Sequence, residues 1–381
     1  MIPYGRQSVS AEDIDAVVSV LQSDFLTQGP VLPRFEEAVA QYCGVAHAVG
    51  VNSATSALHI ACLALGVGPG DVVWTSPNTF LASANCALYC GASVDFVDID
   101  PHTYNMSVAS LAEKLRAARK VGKLPKVVIP VHFSGQPCDM EEIAAFSQEY
   151  GFGVIEDASH AVGAGYKDTT IGDCTHSDIT VFSFHPVKII TTAEGGLATT
   201  NSPELAERMR LFRSHGMTRD RAALAADEGP WYYEQRELGY NYRLTELQAA
   251  LGLSQLKNLD AWVERRHRLA DRYDRELADL PIRLPARLPD RRSALHLYVI
   301  RLNQAAHRRQ VFEALRAAGI GVNVHYIPVH TQPYYQALGF RRGQFPESET
   351  YYDGAITLPM YSAMTDEDQT KVIATLRKLL A

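Results

Sequence analysis

The sequence has no excess of positive charge. Its 381 residues include 36 lysines and arginines against 43 aspartates and glutamates, so the formal net charge is −7 with histidine neutral. A protein that binds DNA or RNA needs a basic field to attract the phosphate backbone, so nucleic acid is not an expected partner. The one cationic cluster, at 265–268, lies in a helix-like polar stretch and is interpreted as a solvated face.

Long apolar runs and a leader-like beginning are also missing. No stretch approaches the ~20 apolar residues that a membrane-spanning helix needs. The opening residues, MIPYGRQSVSAEDID, turn polar at once, unlike a secretory signal peptide. We therefore expect a cytoplasmic protein without a membrane partner.

Cysteine is scarce and follows no ligand pattern. No CxxC pair occurs, and several cysteines lie in apolar runs. This usage favours buried thiols in a reducing compartment over disulfides or a zinc site, so no metal is expected. The six residues are Cys43, Cys62, Cys86, Cys90, Cys138 and Cys174.

What the sequence does contain is a repeated alternation of strand-like and helix-like segments. The composition, 46% hydrophobic and 21% charged, is typical of a globular protein with a large core. Alternating strands and helices predict a mostly parallel sheet covered on both faces by helices. The predicted strands of this sheet are 47–51, 71–76, 93–98, 126–133, 153–157, 179–184 and 195–200.

A second, smaller α/β unit is predicted after the long helical run that begins near 244. Its expected elements are a strand at 296–302, a helix at 308–319, a strand at 321–326 and a closing helix at 366–380. The boundary falls near 255–280. We divide the chain into a large domain, 1–255, and a small C-terminal domain, 256–381.

The ends of three predicted strands carry polar or reactive residues. In open α/β sheets ligands bind beyond the carboxyl ends of the strands. After 47–51 a helix opens with Ser53, Ala54, Thr55 and Ser56. Free N–H groups and small hydroxyls there suit an anion, although ordinary N-capping explains the same residues.

An acid pair and a lysine follow the other two strand ends. Glu156 and Asp157 face opposite sides of their strand, so one carboxylate is available to a cationic ligand atom, or the pair simply starts a loop. His160, three residues on, is catalytic or structural. Lys188 is a surface lysine or, in a dry pocket, a nucleophilic amine. Anion cradle, carboxylate and amine together match the needs of pyridoxal 5′-phosphate.

Ordered motifs extend this interpretation over almost the whole chain. They are FLTQGP with FEEAVA (25–40), VNSATSALH (51–59), SPNTFLASANCALYCGASVDFVDID (76–100), VHFSGQPCDM (131–140), VIEDASHAVGA (154–164), FSFHPVKIITTAEGG (182–196), RSHGM (213–217) and GYNYRLTELQAALGLSQL (239–256). With these motifs the sequence resembles the DegT/DnrJ/EryC1-type sugar aminotransferases, which act on nucleotide-linked keto sugars. The resemblance implies the aspartate aminotransferase fold (fold type I), with a mixed, mostly parallel sheet between helices, a small C-terminal α/β domain, and a homodimer with shared active sites.

The resemblance also implies cofactor roles. Lys188 would bond to pyridoxal phosphate and shuttle a proton between cofactor and substrate carbons. Asp157 would pair with the ring nitrogen, and His160 would lie near the ring or its phenolic oxygen. The other implied contacts are Phe80 stacked on the ring (or packed in the core), Ala54, Thr55 and Ser183 on the phosphate, and Asn241 reaching that phosphate from the partner subunit.

Substrate contacts are implied in the same way, with core packing as the alternative for each. They are Tyr4, Asp24, Phe25, Leu26, Thr27, His215, His325 and Tyr326. Glu194 belongs to a motif without an assigned role, and Arg243 is interpreted as structural. One branch of the family replaces the lysine with histidine and dehydrates sugars. Because this sequence keeps Lys188, aminotransfer is favoured.

Four segments indicate the substrate. IPYGRQ, SDFLTQGP, SFHPVKIITTAEGG and VNVHYIPVHTQPYY look most like the members that aminate UDP-sugars in pseudaminic acid biosynthesis. The implied reaction moves an amino group from L-glutamate to the C4 keto group of a UDP-linked 2-acetamido-2,6-dideoxy-4-ketohexose, in two half-reactions through pyridoxamine phosphate. Alternatives are another 4-keto sugar such as UDP-4-keto-arabinose, a sugar dehydratase or lyase, and a regulator with an inactive site.

Overall fold

This computed structural model describes residues 1–380 of the chain, which contain fifteen β-strands and thirteen α-helices. The strands are β1 (His47–Val51), β2 (Val72–Thr75), β3 (Ser93–Phe96), β4 (Val127–Ile129), β5 (Gly153–Asp157), β6 (Gly165–Tyr166), β7 (Thr169–Thr170), β8 (Ile179–Ser183), β9 (Gly196–Thr200), β10 (Met217–Thr218), β11 (Glu234–Gln235), β12 (Ile282–Arg283), β13 (Arg291–Arg292), β14 (Tyr298–Leu302) and β15 (Ala355–Leu358). The helices are α1 (Ala11–Leu21), α2 (Val31–Cys43), α3 (Ala54–Ala64), α4 (Ala82–Tyr89), α5 (Val108–Val121), α6 (Met140–Tyr150), α7 (Pro203–Arg213), α8 (Glu246–Leu256), α9 (Leu259–Glu276), α10 (Arg308–Ala317), α11 (Pro333–Ala337), α12 (Pro346–Gly354) and α13 (Asp366–Leu380).

The largest sheet has seven strands in the order β1-β9-β8-β5-β4-β2-β3. Strand β9 runs antiparallel to β1 and β8, and the remaining neighbours pair in parallel. The carboxyl ends of β1, β5 and β8 therefore lie at one edge of the sheet, together with the beginning of β9. This arrangement confirms the predicted mostly parallel sheet, and its two faces pack against helices in separate apolar clusters.

Side-chain caps explain where several helices begin. At α1 the Ser10 hydroxyl accepts from the Asp13 N–H at 3.2 Å, and the Asp13 carboxylate accepts from the Ser10 N–H at 2.9 Å. This reciprocal capping box satisfies two otherwise unpaired donors. Ser53 caps α3 by accepting from the Ser56 N–H at 3.1 Å. The start of α3 is thus held in place beside the end of β1.

A smaller unit is built on the three-stranded sheet β12-β14-β15. Its core joins apolar residues of α9, α10, α13 and this sheet with Ile2 from the start of the chain. The Met360 N–H donates to the Tyr4 carbonyl at 3.1 Å. The first residues therefore pack on the C-terminal unit. The domain division at 255/256 stays a prediction. The last residue of the predicted small domain, Ala381, lies outside the described residues.

Two predicted strands differ from the structure, and one helix was not predicted. Residues 321–326 form no strand. Their pairing is reduced to one bridge between Asn323 and Thr357, and residues 323–326 line a cavity. The strand predicted at 126–133 ends at Ile129, where a proline follows. Helix α5 has no predicted counterpart, although Ser107 caps its start and Gly122 (φ 66°) its end.

Two compositional predictions can be compared with the structure. All six cysteines are buried free thiols, as predicted. Within residues 1–380 no helix combines the length and the apolarity needed to cross a membrane.

Candidate active site

A cavity of about 580 Å³ opens at the carboxyl edge of the large sheet. This volume lies within the ~300–1,000 Å³ range of small-molecule sites. The cavity lies beyond the ends of β1, β5 and β8, and the segment around His325 closes it from the smaller unit. The site residues predicted from the sequence that line it are Tyr4, Ala54, Thr55, Phe80, Asp157, His160, Ser183, Lys188, His325 and Tyr326.

The other predicted site residues lie elsewhere in the chain. Asp24, Phe25, Leu26 and Thr27 form an exposed segment after α1, and His215 and Asn241 lie on two chain segments that bridge each other beside α7. One chain by itself does not bring them to the cavity. Their roles, including that of Asn241 from a partner subunit, stay predictions. Glu194 does line the cavity, and Arg243 does not.

Lys188 lies in a turn just beyond β8, where its N–H donates to the His185 carbonyl at 2.9 Å. The side chain is partly buried because it opens into the cavity. Desolvation lowers the pKa of Lys188 to about 8, and the charge of Asp157 partly opposes this by favouring the ammonium form. An appreciable share of the amine is therefore neutral, and nucleophilic, near neutral pH.

Asp157 ends β5, the neighbour of β8 in the sheet. One carboxylate oxygen accepts from the Ser83 hydroxyl at 2.5 Å, and the other accepts from the Ser159 N–H at 3.1 Å. These two donors fix the orientation of the buried carboxylate. Ser83 was not predicted as a site residue, since nothing in the small-residue stretch of α4 distinguishes it.

The amino end of α3 forms the third part of the site. Its first N–H groups, at Ala54 and Thr55, face the cavity and have no intrahelical acceptor. Gly196 lies between Val51 and Ser183 in the sheet, and a Cβ there would lie 2.4 Å from the Ala54 nitrogen. Only glycine lets the sheet approach this helix end so closely. The result is a cradle suited to an anion such as phosphate.

A hydrogen-bonded relay crosses the cavity wall. The Ser134 N–H donates to His160 Nδ1 at 3.3 Å, and His160 Nε2 lies 3.0 Å from the Tyr326 hydroxyl. Burial first, and Lys188 second, hold the pKa of His160 well below its usual value, so the ring is neutral. Because Nδ1 accepts, we assign the proton to Nε2, which donates to Tyr326. The Tyr326 proton is then free to point into the cavity.

Three further rings line the cavity, and of these only His296 was not predicted from the sequence. Burial lowers the pKa of His325 to about 3, with a smaller contribution from Lys188. His296 is buried against His160, with ring centroids 4.5 Å apart, and its Nδ1 has no hydrogen-bond partner. Phe80 is 57% exposed, so its ring faces the cavity and is not a core residue.

Glu156 points to the other face of β5 from Asp157. Its carboxylate accepts from His132 Nε2 at 2.7 Å, from the Ser177 hydroxyl at 2.6 Å and from the Thr180 hydroxyl at 2.9 Å. Burial alone would raise the pKa of Glu156, but these donors lower it overall. The backbone N–H of His132 also donates to the backbone carbonyl of Asp157 at 3.1 Å. Glu156 is therefore structural and anchors the strand end that presents Asp157.

A partly neutral amine, an oriented carboxylate and an anion cradle thus share one cavity. This set suits a phosphorylated aldehyde with a basic ring nitrogen. The fold and the site define the class of pyridoxal-phosphate-dependent aminotransferases of fold type I. The sequence profile of the DegT/DnrJ/EryC1/StrS aminotransferase family matches residues 7–377, so the chain belongs to this family and is a sugar aminotransferase.

Individual relatives match over the full length. "Spore coat polysaccharide biosynthesis protein SpsC" of Bacillus subtilis (strain 168) is 41% identical, over 100% of this chain and 97% of that protein. The "UDP-4-amino-4,6-dideoxy-N-acetyl-beta-L-altrosamine transaminase" of Campylobacter jejuni serotype O:2 is 38% identical, over 100% and 98%. Among solved structures, Helicobacter pylori PseC, an aminotransferase involved in the biosynthesis of pseudoaminic acid, superposes with a TM-score of 0.91 at 33% identity, covering 100% of this chain and 99% of that chain.

Proposed function

We propose that the protein transfers an amino group from L-glutamate to the C4 keto group of a UDP-linked 2-acetamido-2,6-dideoxy-4-ketohexose. The product is UDP-4-amino-4,6-dideoxy-N-acetyl-β-L-altrosamine, an intermediate of pseudaminic acid biosynthesis. It acts in the cytoplasm as a homodimer with pyridoxal 5′-phosphate. The observation that carries the chemistry is that Lys188 and Asp157 line the same cavity as the anion cradle. The names of the Campylobacter and Helicobacter relatives support the choice of sugar.

The residues present fit this cofactor. The N–H groups of Ala54 and Thr55, with the hydroxyl of Ser183, would hold the phosphate, and the close approach of Gly196 keeps this cradle narrow. Asp157 would hold the ring nitrogen, and the exposed face of Phe80 would cover the ring. When bound, pyridoxal phosphate supplies an aldehyde that carries the amino group and a ring that takes up electrons.

Lys188 has two tasks at its Nζ atom. As a neutral amine it would hold the aldehyde of the cofactor, and as a free amine it would take up a proton at Nζ and deliver it again. A pKa of about 8 suits both tasks, since the neutral and protonated forms are both populated near neutral pH. The charge interaction with Asp157 favours the protonated form of the Lys188 amine.

Three further polar residues of the cavity lining are left for the sugar. They are Tyr4, Asn323 and Tyr326, which offer hydroxyl and amide groups to sugar oxygens. The lining contains no arginine within one chain. Asn241 and the 24–27 segment are exposed, so they are available to a second copy. We therefore propose that two copies form a homodimer and share their active sites.

The experiment combines ¹⁵N-labelled glutamate with a panel of UDP-4-keto sugars, including the acetamido-dideoxy hexose and UDP-4-keto-arabinose. The proposal predicts one ¹⁵N atom per product sugar by mass spectrometry, an equal amount of 2-oxoglutarate, and preference for the acetamido sugar. Lys188→Arg is the matched negative control. Amination of only the pentose would refute the proposed sugar. Loss of water from the sugar without 2-oxoglutarate would show a dehydratase.

A further inference from the structure

Three buried imidazoles line the cavity, and one of them has no hydrogen bond. His160 and His325 each have a partner for both ring nitrogens. Within residues 1–380 the His296 ring has none, although the residue is only 4% exposed. Buried polar side chains are nearly always paired, so an unpaired one in the wall of a binding cavity requires a partner that the chain itself does not supply.

The two ring nitrogens of His296 have different surroundings. Nδ1 is sealed from solvent and has no partner, whereas Nε2 is not sealed, so Nε2 is the nitrogen that reaches the cavity. Burial first, and the charge of Lys188 second, hold the pKa of His296 well below its usual value, so the ring is neutral and carries one proton. A buried N–H without an acceptor is rarer than a buried acceptor without a donor, so we assign this proton to Nε2. His296 therefore presents an N–H group to the cavity.

A buried guanidinium holds the backbone of His296 in place. Arg266, on α9, is 2% exposed, and its Nη1 donates to the carbonyls of Leu295 and His296, both at 3.2 Å. The same nitrogen donates to the Met360 carbonyl at 3.0 Å. Leu295 has a φ of 50°, in the left-handed region that bulky residues rarely adopt, and the two successive carbonyls at this turn share one nitrogen. The His296 ring, packed against His160, is thus fixed through its backbone.

The charge of Arg266 has no acid partner. In the part of the chain that the structure describes, no carboxylate opposes the effect of burial, which lowers the pKa of Arg266 to about 10, so the group stays protonated at neutral pH. Arg266 does not line the cavity, but its charge helps to lower the pKa of His296. The His296 ring therefore lies in the positive field of both Arg266 and Lys188. This field attracts an anion to the Nε2–H group more strongly than a neutral group.

The carboxylates of the amino donor still lack a binding partner in the cavity. The anion cradle at α3 is assigned to the phosphate of the cofactor, and Tyr4, Asn323 and Tyr326 offer neutral groups to the sugar. The lining of one chain contains no arginine that could hold a dicarboxylate. A hydrogen bond to a carboxylate is roughly twice as strong as one between neutral groups, so a single well-placed N–H is valuable here.

We propose that the Nε2–H group of His296 binds a carboxylate of the amino donor, an inference that rests on the proposed amino transfer from glutamate. Arg266 is then a positioning residue, since it acts through the backbone of His296. The diphosphate of the nucleotide sugar is the competing anion, and the experiments separate the two.

The first experiment measures donor binding without turnover. 2-Methylglutamate has both carboxylates of the donor but no α-hydrogen, so it binds to the enzyme loaded with pyridoxal phosphate and cannot complete the transfer. Its dissociation constant is measured from the change in the absorbance spectrum of the cofactor. His296→Phe, which keeps a ring against His160, is expected to weaken this binding at least about tenfold. His296→Gln, the matched control, keeps an N–H donor and is expected to stay within about threefold of the unmodified protein.

The second experiment separates the two half-reactions. Glutamate alone converts the loaded enzyme to its pyridoxamine phosphate form, and the keto sugar alone converts it back, both followed by absorbance. His296→Phe is expected to raise the half-saturating concentration of glutamate at least about tenfold and to leave that of the keto sugar within about twofold. Circular dichroism and thermal unfolding check that each variant is folded, and His296→Leu replaces His296→Phe if that protein is not.

Three outcomes would overturn the inference: equal weakening of both substrates, failure of His296→Gln to restore donor binding, or an effect confined to the keto sugar. The last would assign the nitrogen to the nucleotide sugar. An unmodified protein that takes its amino group from glutamate in a His296-dependent way, yet aminates no keto sugar, would refute the proposed sugar and support this inference.

Discussion

The pKa of Lys188 is the property on which the proposed chemistry depends most. A lysine in water has a pKa of about 10.5, whereas desolvation lowers that of Lys188 to about 8. At pH 7 the neutral fraction is then about 1 in 10, against about 1 in 3,000 at the ordinary value. Burial of the Lys188 side chain therefore raises the neutral, nucleophilic fraction of its amine at pH 7 about 300-fold.

The perturbation is a change of pH from 6 to 10, with Asp157→Asn as the paired variant. In the cofactor-free protein we expect acetylation of Lys188 by acetic anhydride to rise with pH and to reach half its plateau at about pH 8. Because the Asp157 charge favours the ammonium form, Asp157→Asn is expected to move this midpoint to lower pH.

The assay is competitive labelling, with each acetylated peptide quantified by mass spectrometry against an added lysine amide standard. The standard corrects for hydrolysis of the reagent and supplies the curve of an ordinary amine. A Lys188 midpoint close to that of the standard would refute the desolvation argument. A midpoint that Asp157→Asn moves to higher pH would refute the assigned sign of the charge interaction.

Three further variants test the surroundings of the site. Gly196→Ala puts a Cβ 2.4 Å from a backbone nitrogen of the cradle, so we expect it to weaken pyridoxal phosphate binding at least about tenfold in a fluorescence titration. Gly68→Ala, the control, has open space around it and is expected to leave binding unchanged. Equal binding by the two variants would contradict the assignment of the cradle. Ser83→Ala removes one of the two donors to Asp157 and is expected to lower kcat about tenfold. An unchanged kcat would contradict a role for the Ser83 hydroxyl in orienting the Asp157 carboxylate. Glu156→Gln is expected to lower the free energy of unfolding by about 3–5 kcal/mol in urea titrations. The pKa of Glu156 is lowered in the folded protein, so its contribution to stability is present above about pH 4.5 and is lost as the pH falls through the folded pKa. Glu156→Gln is therefore expected to lose less stability on acidification than the unmodified protein. The same dependence of the unfolding free energy on pH in both proteins would contradict this.

Much of the fold was predictable because local pattern and sheet topology agree. The alternation of short apolar strands with helices determines a parallel sheet, and such a sheet collects its ligands at one edge. Asp157 and Lys188 each follow a predicted strand, and β5 and β8 prove to be neighbours.

The parts that were missed depend on contacts between distant positions. Ser83 reaches Asp157 across 74 residues, and His132 reaches Glu156 across 24, so no local spacing reveals either pair. Residues 321–326 alternate like a strand, yet the polar side chains of that segment face the cavity and its pairing stops at one bridge. The roles predicted for His215, Asn241 and the 24–27 segment stay predictions, because one chain by itself does not bring these residues to the cavity.

The most direct test of the account is to find where the cofactor is attached. The purified protein is mixed with pyridoxal phosphate, reduced with borohydride, digested and mapped by mass spectrometry. We expect a phosphopyridoxyl group on Lys188 and its absence from that position in Lys188→Arg, together with loss of amino transfer to the keto sugar. A cofactor found on another lysine, or full amino transfer by Lys188→Arg, would contradict it.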